Sequence, residues 1–314
     1  MTYISPTSLL NVEFESGKPP ILHTNSIEKD ALRAFVAEHG ALLVRGLELS
    51  DVGRVAAVFR ELGQLMNETE SFAPRKRYAE GVYSATKWPP NQPMCVHHEL
   101  SYALEVPSLM FFVCLVAPQS GGATPLADSA TVLAALPPAL VQRFEQHGWL
   151  LIRNYNEDIG ASVADVFGTD DRRVVERYCR ANAIEFEWRD GGGLRTRQRR
   201  NALVRHPING RRCWFNQIAF LNEWTLAPEV RDYLVDVYGR DGLPFNTCFG
   251  NGDPIDAGIV EAINETYEAH TVRERWKASD LLIVDNIRIA HGREPFDGPR
   301  ELVAGLADGV RLAA

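Results

Sequence analysis

The feature that most limits what this chain can fold into is the run SLMFFVCLVAP at positions 108–118. Its apolar stretch, Leu109–Ala117, is the longest unbroken one in the sequence. It is less than half of the roughly 20 residues that a membrane helix needs. Short, continuous and closed by Pro118, it reads as a buried strand. ALLVRG (41–46), WFNQIAF (214–220) and LLIVDNIRIAH (281–291) read as further strands. Apolar spacing and capping residues predict helices over 28–39, ending at Gly40 with Ser26 as N-cap, and over 51–63, capped by Ser50. Others are expected at 130–148 (interrupted near Pro137 and Pro138), 171–182, 227–238 and 257–269. Helices lead and surround, while strands flank the polar motifs. This is a β core with helical additions and not the alternating rhythm of a nucleotide-binding sheet. With no repeat, low-complexity stretch or linker, residues 1–314 read as one domain.

Composition narrows the function. A net charge of −8 argues against general nucleic-acid binding, which relies on a basic surface. The N-terminus lacks a basic head followed by a long apolar core, so neither a secretory signal nor membrane insertion is expected. Five cysteines, an odd number with no CxxC pair, read as reduced thiols of a cytoplasmic protein.

Several catalytic motifs fail on inspection. There is no GxxxxGK[ST] loop and no GxSxG elbow. Gly250-Asn251-Gly252 starts like a dinucleotide loop, but Ile255 stands in place of the third glycine. His98-Glu99-Leu100-Ser101-Tyr102 resembles a zinc-protease helix, but Tyr102 replaces the second histidine. The informative segment is Val96-His97-His98-Glu99-Leu100. On a strand, side chains alternate, so His97 and Glu99 share a face and His98 takes the other. His291, at the end of LLIVDNIRIAH, is placed to supply a third ligand. Two imidazoles and one carboxylate on one side of a metal leave three positions open, as in non-haem Fe(II) oxygenases. His23, His39, His147, His206 and His270 remain alternative third ligands, the first three in loop or helix-end contexts that suit solvation or capping.

Four ordered blocks carry a family resemblance: 82–103 (VYSATKWPPNQPMCVHHELSYA), 111–129 (FFVCLVAPQSGGATPLADS), 194–217 (LRTRQRRNALVRHPINGRRCWFNQ) and 285–305 (DNIRIAHGREPFDGPRELVAG). Through them the chain resembles the taurine dioxygenase-like (TauD/TfdA) Fe(II)/2-oxoglutarate oxygenases, and within these the branch that includes the syringomycin-type aspartyl hydroxylase. The resemblance implies an α+β fold with a double-stranded β-helix core (a jelly-roll, cupin-like), surrounding helices and long insertions. It implies Fe(II), 2-oxoglutarate and O2 as cofactor and cosubstrates. By position, His97, Glu99 and His291 correspond to the iron ligands. Thr124 and Arg300 correspond to residues that hold the distal carboxylate of 2-oxoglutarate, where a guanidinium gives paired charge-assisted hydrogen bonds. His98 stands where this branch has asparagine, and Asn222 where it has histidine. Ala304 replaces the sulfonate-binding arginine of taurine-type enzymes, which argues against taurine as substrate. Glu99 is present, so the chain does not resemble the halogenases of this group.

The expected reaction is hydroxylation of an unactivated carbon of an amino acid or derivative, free or presented by a carrier protein, in specialised metabolism. Desaturation, epoxidation and rearrangement are alternatives from the same site, and a non-catalytic jelly-roll binding protein is a third class. The stretches 66–94 and 189–200 are candidate substrate lids. The second holds Arg189, Arg195, Arg197, Arg199 and Arg200, suited either to an anionic partner or to a solvated loop. Ser101, Tyr102, Asn216, Arg195 and Arg197 are the candidate substrate contacts.

Overall fold

The computed structural model describes residues 10–312 other than positions 69, 71, 73, 74, 87, 157 and 158. Its organising element is the strand Glu105–Val116. Glu301–Arg311 pairs antiparallel along one edge and Leu281–Asp285 along the other, in the middle of an eight-stranded sheet. Alternation along these strands sends their residues to two different cores. Met110, Phe112, Cys114, Leu282, Val284, Leu302 and Ala304 enter a core shared with the second β layer. Phe111, Val113, Leu281, Ile283 and Val303 meet Leu32, Phe35, Val55 and Phe59 of the helices Lys29–His39 and Val52–Leu62. A strand covered on both faces has no position for a polar residue, which is why its sequence is an unbroken apolar run.

The second β layer has the order Thr271–Val272, Leu126–Asp128, Ile289–Arg293, Met94–His97. Together with the large sheet it forms the jelly-roll core. A third sheet, ordered Glu185–Trp188, Leu194–Arg200, Trp149–Tyr155, Phe245–Phe249, extends from this core. It holds a smaller apolar cluster against the helix Arg172–Ala181.

The helices fall close to their expected bounds, with different caps. Asp51, not Ser50, caps the second helix by accepting the Arg54 N–H at 3.0 Å. Glu28 occupies the N-cap of the first and makes no side-chain bond there. Two of the expected strands are interrupted by local side-chain bonds. Asp285 Oδ1 accepts the N–H groups of Ile287 and Arg288, turning LLIVDNIRIAH into two strands. Asn216 Oδ1 accepts the Ile218 N–H, so pairing in WFNQIAF stops at Trp214. Conversely, much of the 189–200 loop is regular: Leu194–Arg200 is a strand hydrogen-bonded on both edges. Among the described residues, no helix is long and apolar enough to cross a membrane.

Candidate metal centre and active-site cavity

His291 and His97 sit directly opposite each other on neighbouring antiparallel strands, Ile289–Arg293 and Met94–His97. Facing positions of such a pair bring side chains on one face together, and the two ring centroids are 5.0 Å apart. The strands approach closely because position 292 is glycine. A Cβ there would lie 2.6 Å from the Met94 carbonyl oxygen.

Glu99 arrives differently from expectation. It lies beyond the strand end, in a turn where Leu100 has a positive φ of 54°. Its backbone is gripped by the Asn286 side chain. Asn286 Oδ1 accepts the Glu99 N–H at 2.9 Å, and Nδ2 donates to the Glu99 and Pro107 carbonyls at 3.0 and 2.9 Å. Asn286 is fully buried and belongs to the turn leading to His291, so one side chain ties two ligand segments together. His98 turns away as expected, its ring against Phe215 and its Nδ1 bonded to the Asn286 carbonyl.

The resulting arrangement fits a metal ion. One ligand atom from each of His97, Glu99 and His291 lies within 4.8 Å of the other two, and all three residues are buried. His97 Nδ1 donates to the Cys95 carbonyl at 2.8 Å, which leaves the Nε2 lone pair available. His291 Nε2 is 3.8 Å from Glu99 Oε2. Burial, reinforced by the charge of His291, pushes the His97 imidazole down to about 4, so it is neutral at physiological pH. Burial alone would raise the Glu99 carboxyl. The Arg75 guanidinium and the two imidazoles outweigh it and hold the carboxyl well below the usual carboxylate range. His97 and Glu99 are therefore in the protonation states that metal binding requires.

Thr124 and Arg300 line the same cavity as the triad, together with Arg75, Met94, Phe112 and Ala304. Arg300 gives one hydrogen bond, from Nε to the Gly122 carbonyl at 3.2 Å. Burial and the neighbouring Arg293 charge lower it to about 10, the mark of a buried cation lacking a counter-anion. Thr124 Oγ1 accepts from Trp276 Nε1 at 3.2 Å, which leaves the hydroxyl proton to donate elsewhere.

The five expected substrate contacts do not join this cavity. Tyr102 donates its hydroxyl to the Glu70 carbonyl, and Asn216 bonds the Ala202 carbonyl and the Ile218 N–H. Ser101 is buried with its Oγ unpartnered. Arg195 pairs with Asp241 beside a separate cavity, and Arg197 is exposed on the same strand. Arg200 is buried and bonds the carbonyls of Tyr102 and Asn182, so the five arginines form no common patch. Of the three family departures outside the triad, His98 packs on Phe215 and Asn222 bonds Thr247 inside the core, whereas Ala304 lines the cavity.

Three contributors escaped the sequence reading: Arg75, Asn286 and Trp276. Asn286 stands within the quoted DNIRIAHG block, and the polar pair Asp285-Asn286 directly after the apolar LLIV was the available signal. Arg75 had none, since nothing in RKRY separates one arginine from the next.

A jelly-roll core with two imidazoles, a carboxylate and an unpaired arginine around one cavity defines the class of Fe(II)/2-oxoglutarate oxygenases. The chain belongs to the taurine catabolism dioxygenase TauD, TfdA family, whose model matches residues 10–306. It is 34% identical over 281 residues to the dapdiamide synthesis protein DdaC of Enterobacter agglomerans, covering 89% of this chain and 85% of that protein. It is 29% identical over 299 residues to a clavaminate synthase-like protein of Arabidopsis thaliana, covering 92% and 87% respectively. The PvcB protein of Pseudomonas aeruginosa shares the fold, with a TM-score of 0.59 at 15% identity and coverage of 99% and 98%. The chain is thus a dioxygenase that uses Fe(II), 2-oxoglutarate and O2.

Proposed function

We propose that this enzyme hydroxylates an unactivated carbon of an amino acid or amino-acid derivative in specialised metabolism. His97, Glu99 and His291 hold the ferrous ion, while Arg300 and Thr124 hold the distal carboxylate of 2-oxoglutarate. The observation that carries the reading is the convergence of the triad, Thr124 and Arg300 on one cavity, assembled from segments nearly 200 residues apart. The similarity to a dapdiamide synthesis protein supports the substrate class.

When bound, the iron and 2-oxoglutarate supply the oxidising chemistry: one oxygen atom of O2 enters the substrate, the other enters succinate, and carbon dioxide leaves. The protein's own residues bind, orient and exclude water. Arg300 presents free N–H groups to a carboxylate and is held toward the cavity by the Gly122 carbonyl. Trp276 fixes the Thr124 hydroxyl so that its proton points to an acceptor other than the indole. Phe220 stacks on His97 with centroids 4.4 Å apart, and Phe72 packs on Phe220 in turn, forming an apolar cover over one ligand. Apolar walls suit a reaction in which bulk water would divert the oxidant.

Anaerobic addition of Fe(II) and 2-oxoglutarate should produce a weak visible charge-transfer band that His97→Ala abolishes. Under air, a mass-spectrometric screen of free and carrier-loaded amino acids should find a product heavier by one oxygen. A wild-type protein that gives no band would overturn the assignment of the site. A product lighter by two hydrogens would replace hydroxylation with desaturation.

A further inference from the structure

We propose that Arg75 selects the substrate by holding a carboxylate that the substrate carries. This rests on the amino-acid reading above and sharpens it to substrates that present a free carboxylate to the iron cavity.

Arg75 is nine-tenths buried and lines the cavity beside His97, Glu99 and His291. It lies on the segment before the strand Arg77–Ala79, not on either β layer that carries the triad. Its Nη2 donates to Glu99 Oε1 at 2.9 Å. Its Nε, equally buried, has no hydrogen-bond partner among the described residues, and Glu68 Oε2 is 3.8 Å away. The guanidinium is therefore satisfied through a group that a metal ion also claims. A metal ion bound through Glu99 Oε2, the oxygen facing His291, leaves Oε1 on Arg75 but draws on the shared negative charge, so the buried guanidinium keeps one bond to Glu99 and has an unused Nε–H to offer an anion.

Charge around the cavity points the same way. Its lining carries three guanidiniums, Arg75, Arg293 and Arg300, against one carboxylate, Glu99. Arg293 is turned away, bonding the carbonyls of Trp88, Pro89 and Gln92. 2-Oxoglutarate is a dianion and balances the divalent ion, so its arrival does not remove the excess. Glu68, behind Arg75, offsets part of it. One carboxylate from the substrate offsets the rest. Arg300 is committed to the cosubstrate, which leaves Arg75 as the group to receive it, through the planar fork that matches a carboxylate.

The test uses the anaerobic Fe(II)·2-oxoglutarate enzyme and reads the shift of its visible band as probes are added. The probes are the common L-amino acids, their α-carboxamides, their deaminated carboxylic-acid analogues, and aspartyl and asparaginyl pantetheine thioesters. At least one carboxylate-bearing probe should shift the band while its amide counterpart does not. Arg75→Met should weaken that probe by roughly 10- to 100-fold, the range for a charge-assisted hydrogen-bonded pair. Fe(II) and 2-oxoglutarate are kept saturating for each enzyme and every acid is read against its own amide, so a change in metal affinity transmitted through Glu99 cancels, and circular dichroism shows that the variant is folded. Arg75→Lys should recover part of the response. An amide that acts as well as its acid, an Arg75→Met enzyme that responds like wild type, or silence from every carboxylate-bearing probe would each overturn the proposal. A response to deaminated acids as strong as to amino acids, still lost in Arg75→Met, would defeat the amino-acid reading and leave Arg75 in its role.

Discussion

Replacing Gly292 with alanine should damage the metal centre far more than the fold. The added Cβ would sit 2.6 Å from the Met94 carbonyl oxygen and 3.3 Å from both the Cys95 carbonyl carbon and Val96 Cα. These are backbone atoms of the neighbouring strand, so no side-chain rotation relieves the contact. The strands must part by several tenths of an ångström, and His291 and His97 are the cross-strand pair one residue away. Overpacking of this kind costs about 1–3 kcal/mol. In a chain of this size that lowers the melting temperature of the metal-free protein by only several degrees. Metal binding depends on ligand placement to a much finer tolerance, and we expect affinity to fall by roughly 10- to 100-fold, as when ligand orientation is disturbed. Competition titration with a chromophoric chelator, alongside thermal denaturation with and without metal, separates the two effects. Gly258→Ala is the control: it lies in the helix Ala257–Ala269, and its Cβ would meet only Asp256 Oδ1 at 3.5 Å. There alanine should stabilise by up to about 1 kcal/mol without touching the metal. A Gly292→Ala protein with wild-type metal affinity would refute the claim that this close approach sets the histidine pair.

Three further outcomes follow from the same geometry. Asn286→Ala strands the Glu99 N–H and two carbonyls in the core, which should cost about 2–5 kcal/mol in urea denaturation and weaken the metal; unchanged metal affinity would show that Asn286 does not position Glu99. Trp276→Phe removes the donor to Thr124 and should weaken 2-oxoglutarate severalfold in the band titration, leaving metal affinity alone. Burial lowers His98 to about 3, and burial with the His291 charge lowers His97 to about 4. Both folded values lie below the unfolded one, so the native state favours the neutral rings. That stability is present above pH ~6.5 and is lost as pH falls toward 4, at up to about 1.4 kcal/mol per pH unit for each ring. Urea midpoints of the metal-free protein at pH 7.5, 5.5 and 4.5 should fall accordingly, and a flat series would contradict it.

The sequence was legible where a local rule had no competitor. The helix Lys29–His39 ends at Gly40 because that residue takes a φ of 90°, and the strand Glu105–Val116 carries an unbroken apolar run from Leu109 onward because both faces are covered there. The triad was legible because two imidazoles and a carboxylate have few other reasons to match a family pattern at that spacing. The strand-alternation argument reached the three residues that converge in the structure by an incomplete route. Glu99 leaves the strand and is returned to the metal face by a left-handed Leu100 and by Asn286, a contact spanning 187 positions. The expected substrate contacts lie outside the lining of the cavity for a related reason. Nearness in sequence to His97 suggested Ser101 and Tyr102, but the turn at Leu100 carries both into the core. The stretch 189–200 read as a loop because it is basic and glycine-rich, yet its arginines from 195 to 200 lie on a strand. Their strand is instead held by Gln198 and Thr196, whose partners lie elsewhere in the chain.

The same long-range contacts explain how the cavity divides its work. The triad, Thr124 and Arg300 rest on or beside β strands that are paired with their neighbours, so backbone hydrogen bonds hold the residues proposed for iron and 2-oxoglutarate. Arg75 belongs to a segment held otherwise. Five residues earlier, Glu70 is fully buried, accepting from Gln198 Nε2 at 2.6 Å and from the Tyr178 hydroxyl at 3.3 Å, with Arg153 at 3.8 Å. Phe72, between them, packs on Phe220 and Phe245. The third sheet, which contributes none of the residues lining the iron cavity, therefore anchors Glu70 and Phe72, the nearest described residues before Arg75. On the proposal made above, sequence change in that sheet would act on the Arg75 guanidinium without altering any other residue that lines the cavity, although its bond to Glu99 passes part of the effect to the iron site. This is a physical route by which one oxygenase core can serve different substrates.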